Sequence, residues 1–503
     1  MSKEKKEEET VSRRKYLKYV GAGVVVVAAA GAGGYYATKP KPTPTPITPA
    51  PTTPAPTITE IITQTITPTI TPGKPYAGEK ITVGLVSGLV TDPLTKSLVP
   101  LFEELTGIKV EVETLPYPAL HEKQVLSLSA PKGQGLYDIF EIYNEAIAEY
   151  TVNNWVLDLK SFPTFEEDFA GIHPKARYIC EWEGKIVGMP FDGGGRVFCY
   201  NKKLLEDAGL EIPPVDGWTW EYVREAAIEV KRYYKGEVWG WVHQGLMGGY
   251  SCMDFNPWLW GFGGEIFDNY TIPTKCLINS PQAVEALEEY AAFRNEYKVS
   301  PPGDTTYSET EAVRLICEGK VAMSINDPLM HGQKFWNPSV SRVVGQIFFA
   351  DNPLKKGITP MHEGKPFLVD GKPAAKHRIG IWELNIAANS VHQGAAYEFL
   401  KWITGESIAK TWFLGGAGTF RMSVFEDPTF KGQYGYFDYI PRWFATGIRW
   451  VHNPEATATM IAIGEAVTSV LSGEKKAQEA LDIAKDKIDK LYYGKPLYPD
   501  YKP

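Results

Sequence analysis

"MPFDGGGRVFCYNK", residues Met189–Lys202, sets three consecutive glycines between two apolar stretches. A glycine run beside a strand can cradle a phosphate, line a ligand, or let the chain bend. A phosphate loop wants a Lys-Ser/Thr pair and a helix opening directly after the glycines. Here "RVFCY" follows, which is a strand pattern. The run is therefore read as a point where an extended chain passes through, with small residues leaving room beside it.

The flanking chain alternates strands and helices. "KITVGLVS" (Lys80–Ser87) has apolar residues at every second position and predicts a strand. "TDPLTKSLVPLFEELTG" carries a helical stripe of Leu94, Leu98, Leu101, Phe102 and Leu105, with Gly107 where a terminating glycine belongs. "IKVEVET" and "YDIFEI" (Tyr137–Ile142) are further strands, separated by the helix "ALHEKQVLSLSA". Such alternation implies a largely parallel sheet with ligands at the strand carboxyl ends. Downstream, Ser280 and Pro281 open one helix, and a Ser308/Glu311 capping box opens another that stops at Gly319. "KVAMSIND" (Lys320–Asp327) and "RIGIWELNIAANS" (Arg378–Ser390) are strands, and Pro454–Tyr493 is a helix pair broken at "SGEKK".

At 503 residues the chain exceeds what one core supports. A net charge of −8 argues against a nucleic-acid partner. The five cysteines (Cys180, Cys199, Cys252, Cys276, Cys317) show no CxxC spacing, and the eight histidines make no HExxH, so neither a metal site nor a cofactor is expected. The aromatic fraction of 13%, with 14 Trp, is high for a globular chain.

The first residues carry an address. "SRRKYLK" precedes "YVGAGVVVVAAAGAGGYYA" (Tyr19–Ala37), which is similar to a twin-arginine export signal and also fits a membrane anchor. Either reading places the remainder outside the cytoplasm, tethered to the membrane or secreted. Residues 38–78 are dominated by Thr, Pro and Ile and read as an extended stalk, reaching on the order of 100 Å at ~3.1 Å per residue.

The ordered set "PLFEELTGIKVEVE", "GLYDIFEIYNEAIAEYTVNNWVLDL", "GKIVGMPFDGGGRVFCYNKKLLEDAGLEIPP", "WLWGFGGEIFD", "EAVRLICEGKVAMSINDP" and "AAYEFLKWITGESIAKTW" resembles the extracellular solute-binding proteins of ABC transporters, in the sugar-binding branch with maltose- and trehalose-binding proteins. The resemblance covers nearly all of Glu79–Tyr493. It implies an α/β, two-lobe periplasmic-binding-protein-like fold with discontinuous lobes, hinge crossovers and a ligand cleft between them. One lobe is expected over 79–190 with 326–386, the other over 191–325 with 387–503. The crossovers are expected at Gly193–Gly195, at "SINDP" and at "LNIAANS". The implied partners are a sugar ligand, tilted toward an oligosaccharide by the aromatic content, and ABC permease membrane subunits; a monomer is expected.

Sugar binding needs aromatic faces for the C–H surfaces and carboxylates, amides or Arg for the hydroxyl rim. By the resemblance, Trp382 matches a sugar-stacking aromatic, with a core Trp as the alternative. Gly194 stands where relatives carry a cleft acid, and Asp192, two residues earlier, reaches for the same hydroxyls. Asp327 replaces an aromatic, implying a more polar subsite. Glu145 matches a cleft acid after the third strand, with helix-end charge as the alternative, and Asn144 caps the same helix or binds ligand. Arg421 matches a family arginine near the cleft, or makes a structural ion pair. Trp450 and His452 are expected at the cleft edge, and one of Trp258 and Trp260 against the ligand. The competing enzyme reading is a tethered glycoside hydrolase using two of Glu181, Glu183 and Asp192, although "CEWEGK" reads as a turn. A surface-layer protein would fit the stalk but not the two-lobe pattern.

Overall fold

The computed structural model describes residues 74–87 and 94–503. The expected export segment and the stalk up to residue 73 lie outside the described residues. Strands form at β1 (Lys80–Val86), β2 (Lys109–Leu115), β3 (Ile139–Tyr143), β4 (Gly188–Gly195), β5 (Val197–Asn201), β6 (Trp239–Val242), β7 (Val321–Asn326), β8 (Ile347–Ala350) and β9 (His377–Ile386).

The first sheet runs β2-β1-β3-β9 and ends on the two-residue strand Gly447–Ile448, parallel to the start of β9, with β4 also bonded to β9. β1 is parallel to β2 and β3, whereas β9 is antiparallel to β3 and β4. The second sheet runs β8-β5-β7-β6, with β5 antiparallel to β7 and β8. β4 and β5 are one extended run interrupted at Arg196, so the chain leaves the first sheet and enters the second directly after the three glycines. β7 ends at Asn326, and Asp327 begins the return.

The helices used below are α1 (Val99–Thr106), α2 (Gly249–Gly261), α3 (Pro281–Asn295), α4 (Glu309–Cys317), α5 (Gln393–Ile403), α6 (Glu406–Leu414), α7 (Ala456–Leu471) and α8 (Ala477–Tyr492). Their ends follow the local signals. Gly107 closes α1 in the left-handed region at φ 78°, its N–H donating to the Glu103 carbonyl. The Ser308 hydroxyl accepts the Thr310 N–H at 3.2 Å while Glu311 Oε2 accepts the Ser308 N–H at 2.8 Å, the reciprocal box that opens α4.

Both faces of the second sheet are covered, which is why β5 reads as an unbroken apolar run. Val197 and Cys199 face the core shared with the first sheet, and Phe198 faces a second core of Trp220, Trp241, Trp258, Tyr290 and Phe293. Much of the aromatic surplus sits here: Trp220, Trp241, Trp258, Trp260 and Trp450 are fully buried in this second core, and Trp443 is fully buried in the first. All five cysteines are buried and unbridged.

The division of the chain differs from the expected one in three places. Residues 347–350 pair with β5 and so join the second sheet, because an edge strand there finds its partner in the crossover run. α5 and α6 bury Phe399, Leu400, Ile408 and Phe413 in the core around β1 and β9, so the chain stays with the first lobe well past residue 386. It rejoins the second core at Ile448–Val451, followed by α7 and α8. The folded part also starts before Glu79, since Tyr76 packs against the first core.

Glu383 on β9 has no exposed surface and sits beside Cys180 and Asn385. Burial pushes its pKa up to about 8, so the fold favours the protonated acid. A carboxyl whose folded pKa is raised contributes stability below its ordinary value of 4.5, and that stability is lost as pH rises toward 8. Glu383→Gln is therefore expected to raise the melting temperature by an amount that grows between pH 5 and pH 8.5. Melting curves showing the same difference at both pH values would contradict a neutral Glu383.

Candidate functional site

One face of the first sheet collects the polar and aromatic groups, and strand periodicity explains how. On β9 the residues Arg378, Gly380 and Trp382 share one face while Ile379 and Ile381 point into the core. Gly380 pairs with Gly194 and Trp382 with Asp192 on β4; Trp382 also pairs with Tyr143 on β3. Directly paired residues share a face, so Asp192, Gly194, Tyr143 and Trp382 lie on the same side of three neighbouring strands. The register slips between Trp382 and Glu383, leaving Phe191 as an extra residue whose carbonyl accepts the Trp412 indole N–H at 2.9 Å.

The glycines have no room for side chains. A Cβ on Gly194 would lie 2.0 Å from Asp327 Oδ1, one on Gly380 2.1 Å from the Tyr143 hydroxyl, and one on Gly195 2.4 Å from the Arg378 carbonyl. Gly193 adds a φ of +145° and would meet the Gly380 carbonyl at 2.3 Å. The run is a crossover floor on which the carboxyl of Asp327, arriving from the second crossover, is laid down.

Tyr143 and Trp382 form a half-buried aromatic pair, centroids 4.5 Å apart and planes at 34°. The Arg378 guanidinium lies 4.5 Å from the Tyr143 ring centroid, and its Nε donates to Glu145 Oε1 at 2.7 Å. Its Nη1 reaches Met253 Sδ on α2 at 3.4 Å, and the Trp450 ring is 6.0 Å away. Arg378 thus belongs to the first sheet and touches the second lobe. Asn144 Oδ1 accepts the Ile381 N–H at 2.9 Å, which orients its amide. Buried atoms in this region without a hydrogen-bond partner among the described residues include Asn144 Nδ2, Glu145 Oε2, Arg378 Nη2 and Trp450 Nε1.

Asp192 Oδ1 accepts the N–H of Gly193 at 2.8 Å and of Gly418 at 2.5 Å. Asp327 Oδ1 accepts the N–H of Leu329 at 2.8 Å and of Met330 at 3.0 Å. Burial raises both, Asp192 to about 7 with the Asp327 charge adding to it, and Asp327 to about 6. Arg196 at the crossover is spent on Gln244 Oε1 at 2.5 Å and Glu309 Oε2 at 3.0 Å. His331 is held by Asn326 Oδ1 at 2.5 Å, and burial keeps it neutral.

The structure brings together Trp382, Asp192, Gly194, Asp327, Asn144, Glu145 and Trp450. It places two other candidates elsewhere. The Arg421 guanidinium is consumed by the backbone carbonyls of Thr404 (2.8 Å), Asp168 (2.7 Å) and Ala170, which makes it a brace inside the first lobe. Trp260 donates to the Tyr270 hydroxyl at 2.9 Å, and Trp258 stacks on Trp220 at 3.5 Å, so both belong to the second core. His452 Nε2 bonds the Glu181 carbonyl at 2.9 Å. Glu183, with φ 49°, is in the turn joining strand residues Glu181–Trp182 and Lys185–Ile186. Tyr143, Arg378, Gly380, Met253, Arg196, Glu309 and His331 were not singled out from sequence. The stretch "HRIGIW" held the signal for Arg378 and Gly380, because its alternate residues are apolar and the others share the face of Trp382.

This face, closed over by a second lobe, defines a solute-binding protein. Residues 87–410 match the family model "Bacterial extracellular solute-binding protein", and the chain belongs to that family. It is 24% identical to a "Probable amino-acid ABC transporter periplasmic-binding protein" of Sinorhizobium fredii over 71% of this chain and 75% of that one. It is 25% identical to a diacetylchitobiose-binding protein of Streptomyces coelicolor over 65% of this chain and 69% of that one. The crystal structure of an ABC transporter solute-binding protein from Agrobacterium radiobacter K84 in complex with ribitol superposes with a TM-score of 0.72 at 25% identity, covering 83% of this chain and all of that one.

The Gly194–Asp327 contact generates a test. Gly194→Ala forces a methyl group into a carboxyl pinned by two N–H donors and is expected to cost about 1–3 kcal/mol. The cost should shrink to less than half in an Asp327→Ala background, measured as a double-mutant cycle in denaturant. Equal costs in the two backgrounds would show that the methyl group clashes with something else.

Proposed function

We propose that the cleft captures a polyhydroxylated solute, a sugar or sugar alcohol, outside the cell and delivers it to the membrane permease of an ABC importer. The observation that carries this reading is the set of water-excluded, unpartnered polar atoms beside an aromatic pair: Asn144 Nδ2, Glu145 Oε2 and Trp450 Nε1, next to Tyr143 and Trp382. A buried polar atom left unpaired costs about 1–3 kcal/mol. A ligand that supplies hydroxyls recovers that cost, and its C–H faces pack on the rings. The relative named for diacetylchitobiose and the neighbour crystallised in complex with ribitol support the class. A single Tyr–Trp pair suits one sugar ring or one sugar alcohol at that position, either free or as the end of a longer chain.

The amino-acid name carried by one relative is the other class to weigh. An α-carboxylate needs a cation; the two buried guanidiniums here are engaged by Glu145 and Glu309, and the field of the half-buried Lys334 falls on the Asp192 carboxyl. The site favours hydroxyls. Binding works by closure: the solute touches both lobes and so favours the closed arrangement by its difference in affinity for the two. Residues 1–73 act as the export signal or anchor and stalk that keep the monomeric receptor near its permease.

Isothermal titration with ribitol, mannitol, maltose, diacetylchitobiose, glutamine and leucine tests the reading. At least one of the four polyhydroxy compounds should bind and be recovered chemically unchanged. Trp382→Ala should weaken that binding about ten- to hundredfold, since a lost stacked ring costs ~1–3 kcal/mol. Binding of the amino acids alone, or turnover of a sugar, would overturn it.

A further inference from the structure

The acceptors of this cleft are arranged with a consequence for selectivity. Asp192 and Asp327 are each only 4% exposed, and each spends one carboxyl oxygen on two backbone N–H groups. Their Oδ2 atoms carry no hydrogen bond among the described residues. The Asp327 carboxyl lies over Gly194, on the sheet face that also presents Trp382 and Tyr143. Glu145 Oε2 is a third unpaired acceptor oxygen in the same region.

The cations do not balance these oxygens. Arg378 is paired with Glu145, and Arg196 with Glu309. Lys334, half-buried in the helix Gly332–Trp336, contributes a positive field that lowers the Asp192 pKa, yet burial and the Asp327 charge still hold it raised. A ligand meeting Asp192, Asp327 and Glu145 must therefore offer donors. A hydroxyl can donate; a carboxylate has only acceptor oxygens and adds a like charge in a water-poor site.

We propose that the cleft selects neutral polyhydroxy solutes and turns away their carboxylate counterparts, with Asp192 and Asp327 setting the discrimination. This rests on the sugar reading above. The specificity is built by repulsion as well as by attraction.

The test compares the purified full chain at pH 7.5 with ribitol, mannitol and maltose and with their oxidised partners ribonate, mannonate and maltobionate. Every neutral probe that binds should do so at least tenfold more tightly than its acid. Asp192→Asn and Asp327→Asn should each narrow that gap by threefold or more, because each removes a charge without changing shape. Acids binding within tenfold of the neutral probes overturn the proposal and leave the sugar reading standing. A gap unchanged in both variants overturns the role of these two residues. If no neutral probe binds, the selectivity proposal falls, and the sugar reading falls with it when diacetylchitobiose is not bound either. The wild-type comparison stands even if a variant does not fold.

Discussion

A side chain at position 194 would need the space that the carboxyl of Asp327 occupies, and this exclusion links the two crossovers. Because Gly194 yields that space, the second crossover can lie against the first, and Asp327 can accept the Leu329 and Met330 N–H groups in the turn that precedes the helix Gly332–Trp336. Gly380 across the strand pair yields similar space to the Tyr143 hydroxyl, which sets the ring against Trp382. The aromatic pair, the acids and the arginine of the cleft therefore depend on backbones that approach more closely than any Cβ permits. A residue with a side chain at either glycine would lift one crossover off the other.

The same region is costly to hold closed. It contains a buried ion pair, two carboxyls with raised pKa values and several unpaired polar atoms, in contrast to the apolar packing of both lobes. A buried ion pair is weak evidence for stability, since desolvation offsets most of the attraction. Arg378 and Glu145 instead fix a geometry, with the guanidinium held over the Tyr143 ring and in reach of Met253 and Trp450 of the other lobe. Polar groups that violate the packing of a fold at one place commonly mark its function.

Much of this was legible in the sequence, and the gaps have physical causes. The strand pattern after the glycines excluded a phosphate loop, and the capping box at Ser308 and the stop at Gly107 formed as read. Trp382 was identified through a resemblance, but its strand also carried an independent signal: Ile379 and Ile381 on one face and Arg378, Gly380 and Trp382 on the other. Arg421 was drawn toward the cleft by the family resemblance and Trp260 by its residue type. Type says what a side chain can bind, whereas its neighbours decide what it does bind, and here backbone carbonyls and a tyrosine took them. The third crossover was placed too early because a strand end resembles a crossing; only the core shared by α5, α6 and β9 shows that the chain stays.

The central claim is that the face carrying Arg378, Gly380 and Trp382 is the floor of the ligand site. A crystal structure with the tightest-binding sugar or sugar alcohol bound tests it most directly. The account predicts ligand hydroxyls within about 3.2 Å of Asn144 Nδ2, Glu145 Oε2 and Trp450 Nε1, and a C–H face of the ligand against the Tyr143–Trp382 pair. A ligand seated elsewhere, with those three atoms still unpaired, would contradict it.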